Sequence, residues 1–327
     1  MKLRHATVLV AVLSAGVACK KSEPAAPPTP VSDVTPSGTP APAVAPPNPA
    51  AQDPWQKTAP KKDPLAHPLF WSIEKDGKTT YILGTMHLGV DAEARLPAIV
   101  WTRLDEAKAF AMETDLSDPG LAKDMAERHD GGTVHKDLGD EYWKKLERAL
   151  TPPVADRLDH MKAMVPATIL SMRGLPETPA MDGVLAAHAM NEHKQIVFLE
   201  PAAKEAAILE KWMDARALKD MLDDIDGAEK HSQDMLAAYI AGDATKIEAL
   251  SDEERVEFTK HGRSTQEYEQ QMNELLYNRN ASWIEPIEKL HGAGGGFIAV
   301  GAMHLIGERS VLDLLEHRGY KVTRITP

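Results

Sequence analysis

The sequence predicts an irregular α/β protein with a mixed, largely parallel central sheet, flanking helices and a long helical insertion. Short apolar runs that end at a glycine or an acid indicate buried strands, and they alternate with segments of helical periodicity. Residues 202–290 then have almost wholly helical, polar-rich periodicity, longer than one crossover helix. Asp76-Gly77 between two strand-like runs predicts an antiparallel hairpin ahead of these elements.

The predicted elements follow the hairpin in order. The hairpin strands are expected at residues 69–74 and 79–83. Further strands are expected at residues 109–115, 194–200, 298–301 and 321–325. Helices are expected at residues 96–107, 118–129, 139–150, 154–173, 181–193 and 308–318, the fourth with breaks at Pro166 and Gly174.

Composition and charge exclude several classes of protein. The net charge of -12 and the pI near 5.6 argue against a nucleic-acid partner, which would need a basic surface. The only cysteine is Cys19, so an intrachain disulfide and a Cys-based metal cluster are excluded. The sequence also lacks a Gly-x-Ser-x-Gly elbow, a His-Glu-x-x-His helix and a Walker loop.

The N-terminal segment is predicted to be an export signal and a tether. Residues 1–19 contain a basic start, an apolar stretch and small residues before Cys19, which resembles a bacterial lipoprotein signal. A plain secretory signal is the alternative, and either one sends the protein out of the cytoplasm, to the periplasm-facing cell envelope or as a secreted protein. Residues 20–64 are rich in Pro and Ala and are predicted to be disordered. Residues 65–327 are the predicted catalytic domain, whose only attachment to a membrane is the lipid at Cys19.

One motif occurs twice, about 215 residues apart. Gly84-Thr-Met-His87 follows an apolar run near the start of the globular part, and Gly301-Ala-Met-His304 follows another near its end. Each copy places a histidine just beyond a buried strand. If the two strands are parallel, both side chains emerge at the same end of the sheet, where α/β proteins bind ligands.

Two further strands end in acids that could complete a metal site. Glu113 and Glu200 follow the predicted strands at residues 109–115 and 194–200, and either could join His87 and His304. Imidazole and carboxylate ligands suit Mn, Co or Zn, which would activate water for hydrolysis. Asp115 and Asp182 are candidates to orient the histidine rings. The other histidines on polar helices, at residues 188, 193, 291 and 317, are predicted to lie at the surface.

The globular part resembles the TraB/GumN family, whose animal members include the TIKI metalloproteases. The resemblance covers about residues 68–326 and is carried by the two Gly-x-x-His motifs, Met112-Glu-Thr-Asp115, Met181-Asp182, residues 194–200 and Tyr277-Asn-Arg-Asn280. It implies a fold related to ChaN and the erythromycin-esterase-like (EreA) proteins. It also implies a metal-dependent site of His87, His304 and Glu113, with Arg279 binding a substrate carboxylate or an oxyanion.

Three functional hypotheses follow. The first is an envelope-tethered hydrolase of peptides or esters that uses a divalent ion, with Glu113, His87, His304 and Arg279 as its site. The second is a metal-free hydrolase in which a histidine is the general base and Glu113 orients it. The third is a non-enzymatic envelope protein that binds haem or another ligand. The sequence leaves the choice between Glu113 and Glu200, the substrate and the oligomeric state open.

Overall fold

A computed structural model describes residues 63–115 and 119–327. The predicted signal at residues 1–19, the lipid site at Cys19 and residues 20–62 of the predicted tether lie outside the described residues. None of the helices within the described ranges is long and apolar enough to cross a membrane.

Six strands in the described part form one mixed sheet in the order β4-β3-β5-β2-β1-β6. The strands are β1 Phe70–Lys75, β2 Lys78–Thr85, β3 Ala109–Met112, β4 Gln195–Phe198, β5 Phe297–Gly301 and β6 Lys321–Arg324. The four strands β4, β3, β5 and β2 are parallel, and β1 is antiparallel to both β2 and β6. The predicted α/β class with a largely parallel sheet is therefore confirmed.

The hairpin forms as the sequence predicts. Asp76 and Gly77 both have positive φ, 52° and 72°, as the tightest hairpin turns require. The turn sets a register in which Phe70 faces Leu83 and Lys75 faces Lys78. The buried side chains of β1 and β2 pack on β5, which is buried along its whole length.

Helices cover the sheet and extend beyond it. Their bounds are α1 Ala92–Arg95, α2 Ala98–Glu106, α3 Pro119–Ala126, α4 Val134–Leu138, α5 Asp140–Leu150, α6 Pro152–Leu158, α7 Met164–Ser171, α8 Met181–Asn191, α9 Ala202–Trp212, α10 Ala215–Asp223, α11 Ile225–Ala241, α12 Ala244–Lys260, α13 Thr265–Met272, α14 Asn278–Gly292 and α15 Val311–His317. A π turn, Asn273–Tyr277, joins α13 to α14, and a 3-10 turn, Ala302–Leu305, follows β5.

The helical part is built from two stretches of the chain. The expected insertion at residues 202–290 is observed as α9 to α14, and the helices α3 to α7 pack with it around a second apolar core. The helical stretch expected at residues 154–173 is broken, but at residues 159–163 rather than at Pro166, because α6 ends at Leu158 and α7 begins at Met164. Pro166 lies in the first turn of α7, where the missing N–H of a proline costs no helical hydrogen bond.

Candidate functional site

The two Gly-x-x-His motifs meet on neighbouring parallel strands. Thr85 at the end of β2 pairs with Gly301 at the end of β5, so His87 and His304 follow at the same edge of the sheet. A Cβ atom on Gly84 would lie 3.2 Å from the Cα of Ala302, so glycine lets the two motifs pack closely without displacing each other. The expectation that both histidines emerge at one end is confirmed.

His87 is held through its Nδ1 atom by an aspartate. Asp182 Oδ2, at the start of α8, lies 2.5 Å from His87 Nδ1, and Thr85 Oγ1 donates to Asp182 Oδ1 at 2.6 Å. Burial alone would lower the pKa of His87, but the Asp182 carboxylate outweighs it and raises this pKa to about 9. The ring is fixed with Nε2 as its free nitrogen, and Asp182 rather than Asp115 is its partner.

His304 is held through its Nδ1 atom by an amide. Asn280 Nδ2 donates to the carbonyl of Arg309 at 3.0 Å, so Asn280 Oδ1 is the atom that accepts from His304 Nδ1 at 2.6 Å. This assigns the proton to Nδ1 and leaves the lone pair on Nε2. Burial lowers the pKa of His304 to about 3, so the ring is neutral at physiological pH. Trp283 packs against it, with ring centroids 4.3 Å apart.

Glu113 joins the two histidines at one position, which we call the Gly301 point: the place that a Cβ atom on Gly301 would take. The Gly301 point lies 3.1 Å from His87 Nε2, 3.3 Å from Glu113 Oε1 and 3.6 Å from His304 Cδ2. The N–H of Gly301 donates to Glu113 Oε1 at 2.7 Å. Burial opposes the charge on Glu113, but the facing histidines and guanidinium hold its pKa at about 2. A carboxylate therefore faces both imidazoles across a position that only glycine leaves open.

Arg279 lies at the centre of a buried charge cluster. Its Nη2 donates to Glu113 Oε2 at 2.7 Å and to Glu205 Oε1 at 2.8 Å, and its Nε donates to Glu200 Oε1 at 2.5 Å. Its Nη1 donates to the carbonyl of Leu275 at 3.2 Å and lies 3.4 Å from His304 Nε2. These contacts engage all five N–H groups of the guanidinium. Arg279 could bind a substrate carboxylate, as the resemblance implies, only by releasing one of them.

Glu200 occupies a different place from Glu113. It accepts from the Nε side of Arg279, and Lys204 Nζ lies 3.1 Å from its second oxygen. Glu113 borders the Gly301 point, whereas the neighbours of Glu200 are Arg279 and Lys204. The geometry thus groups Glu113 with the histidines and gives Glu200 the part of a counter-ion to Arg279.

Sequence reasoning missed two residues of the site, Glu205 and Asn280. Glu205 lies in the first turn of α9, is 2 % exposed, and its Oε2 atom has no hydrogen-bond partner. Burial, reinforced by the neighbouring carboxylates, raises the pKa of Glu205 to about 8. Asn280 adjoins Arg279 in the stretch that supports the family resemblance, so its position was a usable signal. The sequence carried no signal that would have identified Glu205, because an acidic residue early in a helix is ordinarily solvated.

Comparison with known proteins identifies the family. A model of the TraB/PrgY/gumN family matches residues 69–324, which include both motifs, Glu113, Asp182 and Arg279. The chain belongs to the TraB/PrgY/gumN family. Neither a curated protein nor a solved structure matched the chain. The relation of this TraB/PrgY/gumN protein to ChaN and the erythromycin-esterase-like proteins stays a prediction.

The donor set of the TraB/PrgY/gumN site suits a divalent cation in its chemistry. His87 Nε2 and the Glu113 carboxylate face the Gly301 point, while His304 reaches it with Cδ2 and keeps its Nε2 atom 3.8 Å from Glu113 Oε2. Each ring is oriented through Nδ1, as metal-binding histidines ordinarily are through their other nitrogen. Among the described residues, no group of three or more His, Cys, Asp or Glu side chains is already close enough to hold an ion. His87, His304 and Glu113 would therefore have to draw together toward the Gly301 point.

Proposed function

We propose that this protein is a hydrolase of peptide or ester bonds that works with a divalent metal ion. The observation that carries the proposal is the convergence of His87, His304 and Glu113 on the Gly301 point. A histidine at the surface needs no neighbouring side chain to fix its ring. Here Asp182 fixes the ring of His87 and Asn280 fixes the ring of His304, each through Nδ1, so that Nε2 is turned toward the site. Buried, oriented and mutually facing ligands of this kind are what metal-assisted hydrolysis requires.

Each residue has a part that follows from its contacts. His87, His304 and Glu113 would hold the ion, which when bound supplies a Lewis acid that polarises the scissile carbonyl. Asp182 and Asn280 orient the two rings through Nδ1; His304 is neutral and has a lone pair on Nε2, whereas His87 must lose the proton on Nε2 before it can bind an ion. Arg279 holds Glu113, Glu200 and Glu205 together, and it compensates the negative charge that they bring into a site screened from water.

The test combines metal binding with turnover. The purified chain is titrated with Mn²⁺, Co²⁺ and Zn²⁺ and assayed on a peptide library with and without chelator. We expect His87→Ala and His304→Ala to lose both metal binding and hydrolysis. His317→Ala is the matched control, because that side chain is 77 % exposed and lies on α15. Full metal occupancy in the double variant of His87 and His304 would overturn the proposal.

A metal-free hydrolase is the second candidate, and the His87–Asp182 contact of 2.5 Å favours it specifically. An imidazole held by a carboxylate is the usual arrangement of a general base. With its pKa near 9, however, His87 would be protonated at neutral pH and could accept a proton only in alkaline solution. Activity that survives exhaustive chelation and rises toward pH 9 would select this candidate over the first.

We propose that the enzyme acts at the bacterial cell envelope. The proposal rests on the signal-like residues 1–19, on Cys19 and on the Pro-rich residues that follow. Lipid attachment at Cys19 predicts that the mature chain sediments with membranes. A Cys19→Ser variant should move to the soluble fraction, and equal partitioning of the two chains would contradict lipid anchoring.

A further inference from the structure

A small cavity continues from the Gly301 point into the helical part of the molecule. Its volume is about 100 Å³, and His87, Gly301, Arg279 and His304 line it on the side of the sheet. The opposite wall is mainly apolar and comes from the loop after α7, from α9, α11 and α12, and from the π turn. Ser232 and Tyr239 of α11 also line the cavity, and their hydroxyl groups donate to backbone carbonyls. We call this space the aliphatic cavity, and its wall is formed by Leu175, Leu209, Met235, Ile247 and Leu275.

The size and lining of the aliphatic cavity define what fits. Apolar cavities of about 150 Å³ stay dry and take up a molecule as large as benzene. A cavity of about 100 Å³ therefore suits a branched or linear aliphatic group the size of a leucine or methionine side chain. An acidic or basic head group would lose its hydration against this mainly apolar wall, where the hydroxyl groups of Ser232 and Tyr239 already donate to backbone carbonyls.

Glu205 supplies a carboxyl group at the border of the same space. Its Oε1 accepts from Arg279 Nη2 at 2.8 Å, which orients the carboxyl group, while Oε2 is buried without a hydrogen-bond partner. Glu205 lines the aliphatic cavity together with His87 and His304. A buried oxygen without a partner costs free energy, and a ligand group that reaches it recovers that cost.

A second cavity shows where the rest of such a ligand would lie. It has a volume of about 460 Å³, and polar and charged residues of α12, α13 and the loop before α15 line it. Leu276 and Met303 border both cavities. The ligand to which this arrangement is complementary has an aliphatic group at one end and an extended polar remainder, which describes a peptide.

We infer that the aliphatic cavity is the subsite for an aliphatic side chain of the substrate, and that Glu205 Oε2 hydrogen-bonds the backbone amide beside that side chain. The inference rests on the proposed function for the identity of the ligand as a substrate. It narrows the substrate class to peptides or acyl amino acids with Leu, Ile, Val or Met next to the scissile bond.

The experiment measures binding of a series of N-acetyl amino acid methylamides to the full chain by ligand-detected NMR. The series contains glycine, alanine, leucine, lysine and aspartate. Three additional buried carbons at about 0.8 kcal/mol each predict that the leucine ligand binds roughly 50-fold more tightly than the alanine ligand. Met235→Trp fills the cavity and should abolish this ratio. Met190→Trp is the matched control on α8, because Met190 is 46 % exposed, and it should preserve the ratio.

The same titration, repeated with variants of Glu205, tests the role of this residue. Glu205→Ala should weaken every amide ligand by roughly tenfold while leaving the ratio of leucine to alanine affinity intact. Glu205→Gln keeps an acceptor and a donor at the position and should restore most of the binding. Equal affinity for leucine and alanine, a ratio that survives Met235→Trp, or no binding by any member of the series would overturn the inference.

Hydrolysis of the matching peptides, assayed in parallel, separates the two proposals. Selective binding of the leucine ligand without cleavage of any peptide would refute the hydrolase and leave the subsite standing. Cleavage with no preference for the side chain would refute the subsite and leave the hydrolase standing.

Discussion

Gly301→Ala is the sharpest probe of the site, because it places one methyl group at the Gly301 point. Gly301 has φ -52° and ψ 138°, a conformation open to every residue, so alanine introduces no backbone strain. The new carbon would lie 3.1 Å from His87 Nε2 and 3.3 Å from Glu113 Oε1. Optimal separations are about 3.5–4.0 Å, so both side chains must retreat by several tenths of an ångström.

The expected loss follows from these distances. Metal–nitrogen bonds are about 2.0–2.1 Å long, so the ligands must move toward each other, and the methyl group forces them apart. We expect Mn²⁺, Co²⁺ and Zn²⁺ affinity to fall at least about 100-fold, which is the upper range for disturbing the support of a metal ligand. The fold should lose only about 1–3 kcal/mol of unfolding free energy, as overpacked positions usually do. Calorimetric titration and urea unfolding measure the two quantities separately.

Gly292→Ala is the matched control for Gly301→Ala. Gly292 is the last residue of α14, and a Cβ atom there would have no heavy atom within 4 Å. Alanine improves helix propensity by up to about 1 kcal/mol, so stability should hold or rise while metal affinity stays constant. A folded Gly301→Ala protein with unchanged metal affinity and turnover would refute the view that the site lies at the Gly301 point.

Three further predictions test the charges. Asp182→Asn should lower metal affinity roughly 10- to 100-fold, and unchanged affinity would show that Asp182 does not support His87 as a ligand. The folded pKa of Glu205, about 8, lies above its unfolded value, so unfolding free energy must fall between pH 5 and 8. Urea titrations should show a smaller decline for Glu205→Gln. Burial alone would lower the pKa of His231, but the carboxylate of Glu254, 2.9 Å away, outweighs burial and raises this pKa. The His231–Glu254 pair therefore stabilises the folded protein fully below pH 6.5, and this contribution is lost as the pH rises through the folded pKa. His231→Gln should remove that decline above pH 6.5, and an unchanged slope would contradict the pairing.

The strand ends could be predicted from the sequence because their signal is local. An apolar run followed by Gly-x-x-His fixes both a strand and the side chain that leaves it, and the duplication required the two copies to meet. Their parallel pairing through Thr85 and Gly301 confirms that reasoning. The same logic offered both Glu113 and Glu200, and only the family resemblance favoured Glu113, which follows β3 at the same edge of the sheet.

The helical contributions could not be predicted, because their environment is set by contacts distant in sequence. Asn280 and Glu205 belong to helices whose composition is polar, and only packing on the sheet buries them. His291 is a direct case: it was predicted at the surface, and it is buried. Thr80 Oγ1 lies 3.0 Å from one of its ring nitrogens and the carbonyl of Lys75 lies 3.0 Å from the other. Both partners come from the hairpin, more than 200 residues earlier in the chain.

The position of β5 in the sheet has a consequence for how the protein is made. This strand comes from residues 297–301, close to the end of the chain, yet it lies between β3 and β2 and joins the two halves of the sheet. Until it is synthesised, β2 and β3 each present an unpaired edge, and unpaired edges invite association with other chains. A chain that stops before residue 297 should aggregate rather than persist as an inactive fragment.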